Sequence, residues 1–441
     1  MFIAIIVIFI LGYACIALEH NIRIDKAASA LLMCGAIWTV YTLCTGIEEA
    51  GQDLVHHLGE TCETLFFLIG AMTIVDIIDK HGGFSLITEN ISTKEKNRLV
   101  WILIATTFFM SAVLDNMTTT IIMVMVLRRL IQHKPTRWIF IGIVIIAANS
   151  GGAWSPIGDV TTIMLWMRGN ITAPLLVEHL LVPCIVSVVI PGIIVSRMIK
   201  AGNISQENLA VSPLPEGVGK KFRMTVLILG VAGLLFVPVF KAWTGLPPYL
   251  GIMISLGILW VVTEIVYNHK TIVKEERKQR VSRVIHNIDL PTILFFLGIL
   301  MAVAGLQSVG ILSGVAQWLD TNVHEVFTIT GVVGVLSSIV DNVPLVAACM
   351  GMYPIADAAS IAASADPAYM SMFVQDGLFW ELLTYCAGVG GSMLIIGSAA
   401  GVVAMGLDKI NFVWYLKKIT WMAFLGYVAG IGVIYLQTLI F

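Results

Sequence analysis

The sequence predicts an all-α polytopic membrane protein with about 10 crossings, in which two re-entrant helical hairpins and two broken transmembrane helices form an inverted-topology repeat. Three observations predict it. The 441 residues are 58% hydrophobic and only 12% charged, with a mean hydropathy of +0.91, whereas a soluble domain carries about 25% charged residues. Apolar runs of membrane-spanning length recur along the whole chain. An Asp-Asn pair lies within apolar sequence twice, at Asp115-Asn116 in SAVLDNMTTTIIMVMV and at Asp341-Asn342 in SSIVDNVPLVAACM. Ionisable groups at membrane depth are costly and mark the path of an ion or a substrate.

Taken in order, the expected crossings are 1–18, 27–45, 63–79, 138–167 (broken), 175–198, 223–240, 249–266, 292–308, 378–406 (broken) and 419–440. The first run lacks the basic flank and small-residue cleavage site of a signal peptide, so it reads as a crossing. Loop charge orients the rest, because Lys and Arg are retained on the cytoplasmic side. Segment 46–62 has no Lys or Arg and should be an outside loop, whereas 80–98 carries Lys80, Lys94, Lys96 and Arg98. Arg128, Arg129, Lys134 and Arg137 follow the first Asp-Asn segment, so both of its flanks belong inside. A hairpin over about 99–131 satisfies both flanks, entering from the cytoplasm with Asp115-Asn116 near its tip. The second segment, about 325–350, has flanks 309–324 and 351–370 without Lys or Arg and should enter from outside. Both chain termini then lie outside, and the stretch around Lys409, Lys417 and Lys418 lies inside.

The two halves repeat in order. LFFLIGAM begins at Leu65 and LFFLGILM at Leu294, an offset of 229 (294 − 65); the Asp-Asn pairs are offset by 226 (341 − 115) and the Gly-Gly pairs by 239 (390 − 151). Residues 1–198 form the first repeat, 199–222 a cytoplasmic linker rich in Ser, Asn, Pro, Gly and Lys, and 223–441 the second repeat. Such duplicated, interrupted apolar segments place a transport site near the midplane, at the repeat interface.

The chemistry follows from what interrupts the helices. GGAWSPIGDV and GGSMLIIGSA both read Gly-Gly, five residues, Gly, then a small polar residue, Asp159 or Ser398. Gly151, Gly152, Gly158, Gly390, Gly391 and Gly397 allow unwinding and close approach, and Pro156 removes a helix hydrogen bond. Unwound backbone is tolerated at this depth only where it lines a cavity or is buried in protein. The first half offers Asp115, Asn116, Thr118, Thr119, Thr120, Asn149, Ser150, Ser155, Asp159, Thr161 and Thr162; the second offers Asp341, Asn342, Ser392 and Ser398. These are hard oxygen ligands suited to hard cations. No Arg or Lys lies in the four motifs, which favours a cation over an anion. Desolvation raises a carboxylate's pKa and a bound cation lowers it, so such a site can hold protons or a cation in turn. Two protons leaving per monovalent cation would move one net charge per cycle, worth about 2.3 kcal/mol per 100 mV.

Other polar groups read more plainly. The net charge of −2 and the densest basic stretch, Lys270–Arg283, which also holds two Glu, give no nucleic-acid signal. The seven Cys form no CxxC and no Cys/His cluster, so neither a cofactor nor a redox centre is expected. No His lies in the four motifs, which argues against an intramembrane hydrolase needing a positioned base. Glu63 opens the third crossing and is a candidate for the proton pathway, with Glu60 close by; Asp76 and Asp79 read as interfacial, and His56, His57 and His81 as loop residues.

SAVLDNMTTTIIMVMVLRRL, AANSGGAWSPIGDVTTIMLW, SSIVDNVPLVAACMGMY, CAGVGGSMLIIGSAAGVVAMG and LFFLIGAMTIVDIID together resemble the NhaD family of sodium/proton antiporters, over roughly 60–430. The resemblance implies exchange of Na+, and of Li+, for H+ by alternating access in a homodimer; with no organelle targeting segment visible in the sequence, a multi-pass protein of a bacterial inner membrane is expected. The resemblance carries functional roles in cation and proton binding to Asp115, Asn116, Thr118, Asn149, Asp159, Thr161, Thr162, Asp341, Asn342, Ser392 and Ser398, and a proton-pathway role to Glu63. Because Asp115 is backed by Asp159 but Asp341 only by the neutral Ser398, Na+ and protons are expected to compete at Asp115 and Asp159. The alternative is an anion transporter of the same superfamily, for arsenite or a di- or tricarboxylate, although that class tends to carry Ser-Asn-Thr at its hairpin tips.

Overall fold

The computed structural model describes residues 1–17, 19–84, 86, 95–199, 219–269, 280–285, 288–339 and 341–440. Residues 200–218 of the expected linker, 270–279 of the basic stretch, and Lys94 lie outside the described residues. Among the described residues the structure is helical without strands. The main helices are α1 (Phe2–Ala17), α2 (Lys26–Thr45), α3 (Ile47–Lys80), α4 (Lys96–Ser111), α5 (Asn116–Leu130), α6 (Lys134–Ala153), α7 (Val160–Met167), α8 (Ala173–Met198) and α9 (Lys220–Thr244). They continue as α10 (Pro248–His269), α11 (Leu290–Ser308), α12 (Ile311–Asn322), α13 (Val326–Ser337), α14 (Asn342–Met352), α15 (Leu378–Gly390), α16 (Ala399–Asp408), α17 (Phe412–Lys418) and α18 (Thr420–Ile440).

Eight of these helices are long and apolar enough to cross a membrane. The two other expected crossings correspond to α1, of 16 residues, and to the α15–α16 pair. Interior and periphery are set by composition: 83% of the apolar window of α6 is buried, against 28% for α9 and 33% for α10. The outward faces of α9 and α10 carry Ile228, Leu235, Val239, Ile254, Ile258 and Val261, as a lipid-facing surface requires.

Two expectations are corrected. Segment 46–62 is not a loop: α3 runs unbroken through it for 34 residues, about 50 Å at ~1.5 Å per residue. It contains no proline, and Glu48 and Glu49 sit in its first turn, where negative charge favours the helix dipole. Segment 309–324, expected only to lie outside, holds α12. His81, expected to be an exposed loop residue, is fully buried at the end of α3 with Nδ1 2.6 Å from the Ile77 carbonyl oxygen.

The Asp-Asn segments are helix–turn–helix units, α4–α5 and α13–α14, turning at 112–115 and after Ser337. Within each unit the second helix starts immediately after an aspartate. The glycine-interrupted segments are α6–α7 and α15–α16, breaking over 154–159 and 391–398. Gly151, Gly152 and Gly390 belong to the last helical turns and serve close approach: a Cβ on Gly151 would collide with the Phe108 carbonyl oxygen, and one on Gly390 with that of Gly334. Pro156, Gly158 and Gly397 lie in the breaks, and Gly391 caps α15. The Ser111 hydroxyl donates to the Ala148 carbonyl at 2.6 Å, and that of Ser337 to the Ala387 carbonyl at 2.8 Å. Packing then crosses between halves: α5 lies on α16, α14 on α7, and α6 on α15.

Candidate functional site

Four helix N-termini carry the polar residues that the sequence singles out. Each has a non-helical N-cap residue whose side chain accepts a backbone N–H, the arrangement that Asp and Ser favour. Asp115 accepts from Thr118 at the start of α5, Asp159 from Thr161 at α7, Asp341 from Val343 at α14, and Ser398 from Gly401 at α16. A Cβ at Gly388 would pack on the Cβ of Ala153, which fixes how closely the two broken helices cross.

At their centre is Asp159, 2% exposed. Its Oδ1 accepts from the Thr161 amide at 3.0 Å and the Thr161 hydroxyl at 2.8 Å. Its Oδ2 accepts from Asn116 Nδ2 at 2.8 Å, and Asn342 Nδ2 lies 3.4 and 3.5 Å from the two oxygens. Asn116 also donates to Asn149 Oδ1 at 3.1 Å, and Asn149 Nδ2 donates to Ser398 Oγ at 2.9 Å. One network therefore runs from both Asp-Asn tips through Asp159 and Asn149 to Ser398. Every donor to Asp159 in it is neutral.

The other two carboxylates sit at its margins. Asp115 is half-buried, with Oδ1 2.7 Å from the Thr118 amide and Oδ2 2.6 Å from the Thr118 hydroxyl. It borders a cavity of about 70 Å³ with Asn116, Met72, Val160 and Thr292. Asp341 meets a basic residue that the motifs do not contain: Lys26 Nζ lies 3.2 Å from its Oδ2. Thr119, Thr120 and Thr162 are buried with hydroxyls that have no hydrogen-bond partner among the described residues.

Some expected residues stand apart. Ser392 Oγ donates within its own turn to the Val389 carbonyl at 2.7 Å; Ser150 accepts from Ser187 Oγ at 2.9 Å; Ser155 donates to the Ala112 carbonyl. Glu63 is exposed. Glu60, one helical turn earlier, instead lines a cavity of about 230 Å³ with His57, Arg168, Gln307 and Tyr353, where Arg168 Nη1 is 2.6 Å from Glu60 Oε2. Lys26 and Arg168 carried no signal, because a basic residue flanking an apolar run reads as ordinary loop charge. No group of three or more His, Cys, Asp or Glu that could hold a metal ion occurs among the described residues. A cation here would have to draw on Asn, Thr and Ser oxygens beside the carboxylates.

Comparison with known proteins adds independent findings. A family model described as a citrate transporter matches residues 6–374. The chain is 43% identical over 431 residues to sodium/proton antiporter 1 of Arabidopsis thaliana, covering 98% of this chain and 71% of that one. It is 41% identical to sodium/proton antiporter 2 of the same plant, covering 96% and 97%. It is 30% identical to the Na(+)/H(+) antiporter NhaD of Vibrio cholerae, covering 97% and 90%.

Proposed function

The chain belongs to the NhaD-type sodium/proton antiporters, within the family described as citrate transporters, and from that premise we propose that it exchanges Na+ for H+ across the membrane by alternating access. The observation that carries the mechanism is Asp159: a buried carboxylate surrounded by neutral donors only. A charge taken out of water needs either an opposite charge or a proton. Na+ and H+ are the two occupants that meet this need, and they exclude one another. Asp115 shares the task, and Asn116, Asn149, Thr118, Thr161, Thr162, Asn342 and Ser398 are available to hold, orient or back the ion's oxygen ligands. Li+, smaller and harder, fits the same oxygen ligand type.

The halves are read as an inverted-topology repeat with two re-entrant hairpins. In support, the Ser111–Ala148 and Ser337–Ala387 hydrogen bonds, and the Gly151–Phe108 and Gly390–Gly334 approaches, recur at the offsets of the sequence repeat, 226 and 239. The positive-inside rule orients the multi-pass chain with both termini outside; an inner membrane and a homodimer are part of the same reading. Glu60 is the better candidate than Glu63 for proton entry, because it lines a cavity.

The family description favours one second reading, an anion carrier for a citrate-like substrate. Helix N-termini do bind anions, and four of them carry this site. Each is already capped by its own Asp115, Asp159, Asp341 or Ser398, three of them negative, which repels a carboxylate substrate. Flux in proteoliposomes separates the readings. Na+ should dissipate an imposed pH gradient, and citrate should not accumulate. Citrate uptake without Na+/H+ exchange would promote the anion reading.

A further inference from the structure

Lys26 occupies a place that local physics does not favour. It is the first residue of α2, where the helix dipole disfavours a cation. Its backbone register is set by Asp25, which caps α2 by accepting the Ala27 amide at 2.8 Å. Its ammonium nevertheless lies 4.3 Å over the Phe295 ring of α11 and 3.2 Å from Asp341 Oδ2. Aromatic faces attract cations, so α11 guides the head group toward the hairpin tip. A cavity of about 80 Å³ connects Lys26, Glu19 and Tyr13 with Asp341 and Ser398. Ser398 is hydrogen-bonded to Asn149, and Asn342, next to Asp341, reaches Asp159. Lys26 therefore touches the edge of the network that holds the central carboxylate.

We infer that Lys26 is a tethered cation that fills Asp341 in place of a transported ion, making the two halves of the site unequal in charge and confining exchange to Asp115 and Asp159. This rests on the antiport reading and adds to it a residue outside all four motifs. The pair is partly exposed, 29% and 19% at the side chains, so water and ions can reach it through the cavity. With Lys26 in place, Asp341 offers no free charge to Na+. Without Lys26, Asp341 becomes a third open carboxylate beside Asp159. Without Asp341, Lys26 becomes an unpaired cation that repels Na+.

Equilibrium binding of radioactive sodium to the purified full chain tests this, with thermal unfolding as a check on folding. Lys26→Met should tighten Na+ binding by about tenfold, the scale on which one neighbouring charge shifts an ionic equilibrium, and Lys26→Arg should bind like the native protein. Asp341→Asn alone should weaken binding, and Lys26→Met combined with Asp341→Asn should restore it to near native. Unchanged or weaker binding in Lys26→Met overturns the inference, as does a double variant as weak as Asp341→Asn alone, which would make Asp341 itself a sodium ligand. In both cases native Na+ binding leaves the antiport reading standing. A native protein that binds no Na+ overturns that reading, and this inference with it.

Discussion

Three aspartates in one sequence pattern have three different surroundings. Asp159 is buried among neutral donors, Asp115 borders a cavity while accepting from the Thr118 amide and hydroxyl, and Asp341 faces an ammonium. Asp159→Asn should therefore lower Na+/H+ exchange by about a hundredfold, the scale for removing one partner of a desolvated charge pair, measured as the Na+-driven pH change in proteoliposomes. Asp341→Asn should lose less, and a larger loss there would reverse the assignment. The Asp-Asn pairs, Asp159 and Ser398 were legible because a polar residue in apolar sequence is conspicuous. Their order of importance was not. It depends on Asn342 and Lys26 arriving from segments more than 180 and 300 residues away in sequence, and no local pattern encodes those meetings.

Helix ends and helix contacts carry the next level. Arg137, at the start of α6, places Nε 3.0 Å from both oxygens of Asp408 at the end of α16, and its Nη1 donates to the Ile131 carbonyl at 2.8 Å. Both side chains are buried, 9% and 2% exposed, so this pair ties the exit of the first hairpin unit to the second broken helix. Asp408→Asn leaves Arg137 uncompensated and should cost about 3–5 kcal/mol of stability, read as a lower unfolding temperature in detergent. Glycines divide in the same way by surroundings. Gly151→Ala forces a Cβ onto the Phe108 carbonyl and should cost about 1–3 kcal/mol, the usual penalty of overpacking. Gly257→Ala, in α10 with open space around it, should be neutral or stabilise by about 0.5–1 kcal/mol; equal effects of the two changes in thermal unfolding would contradict this account. The sequence marked both Gly-Gly pairs as special but could not separate unwinding from close packing, since glycine serves both. It also placed a loop over 46–62, because acidic residues without apolar periodicity resemble an outer loop, whereas α3 extends through them.

At the scale of the whole molecule, the orientation can be tested directly. In a background with the seven cysteines replaced, Arg168→Cys, beside the Glu60 cavity, should react with an impermeant thiol reagent from outside. Lys134→Cys should react only after permeabilisation, and the opposite pattern would invert the topology. Composition and loop charge determined without any structure that the chain is helical, apolar and multi-pass, and that two matching polar interruptions occur at nearly constant offset. Those properties are local or periodic, so they survive in one dimension. The tertiary structure alone decided which carboxylate is buried without a counter-charge, that Glu60 rather than Glu63 faces a cavity, and that a lysine from the start of α2 reaches Asp341. Such relations arise when α5 packs on α16 and α14 on α7, and they depend on the distance between helices rather than on spacing along the chain.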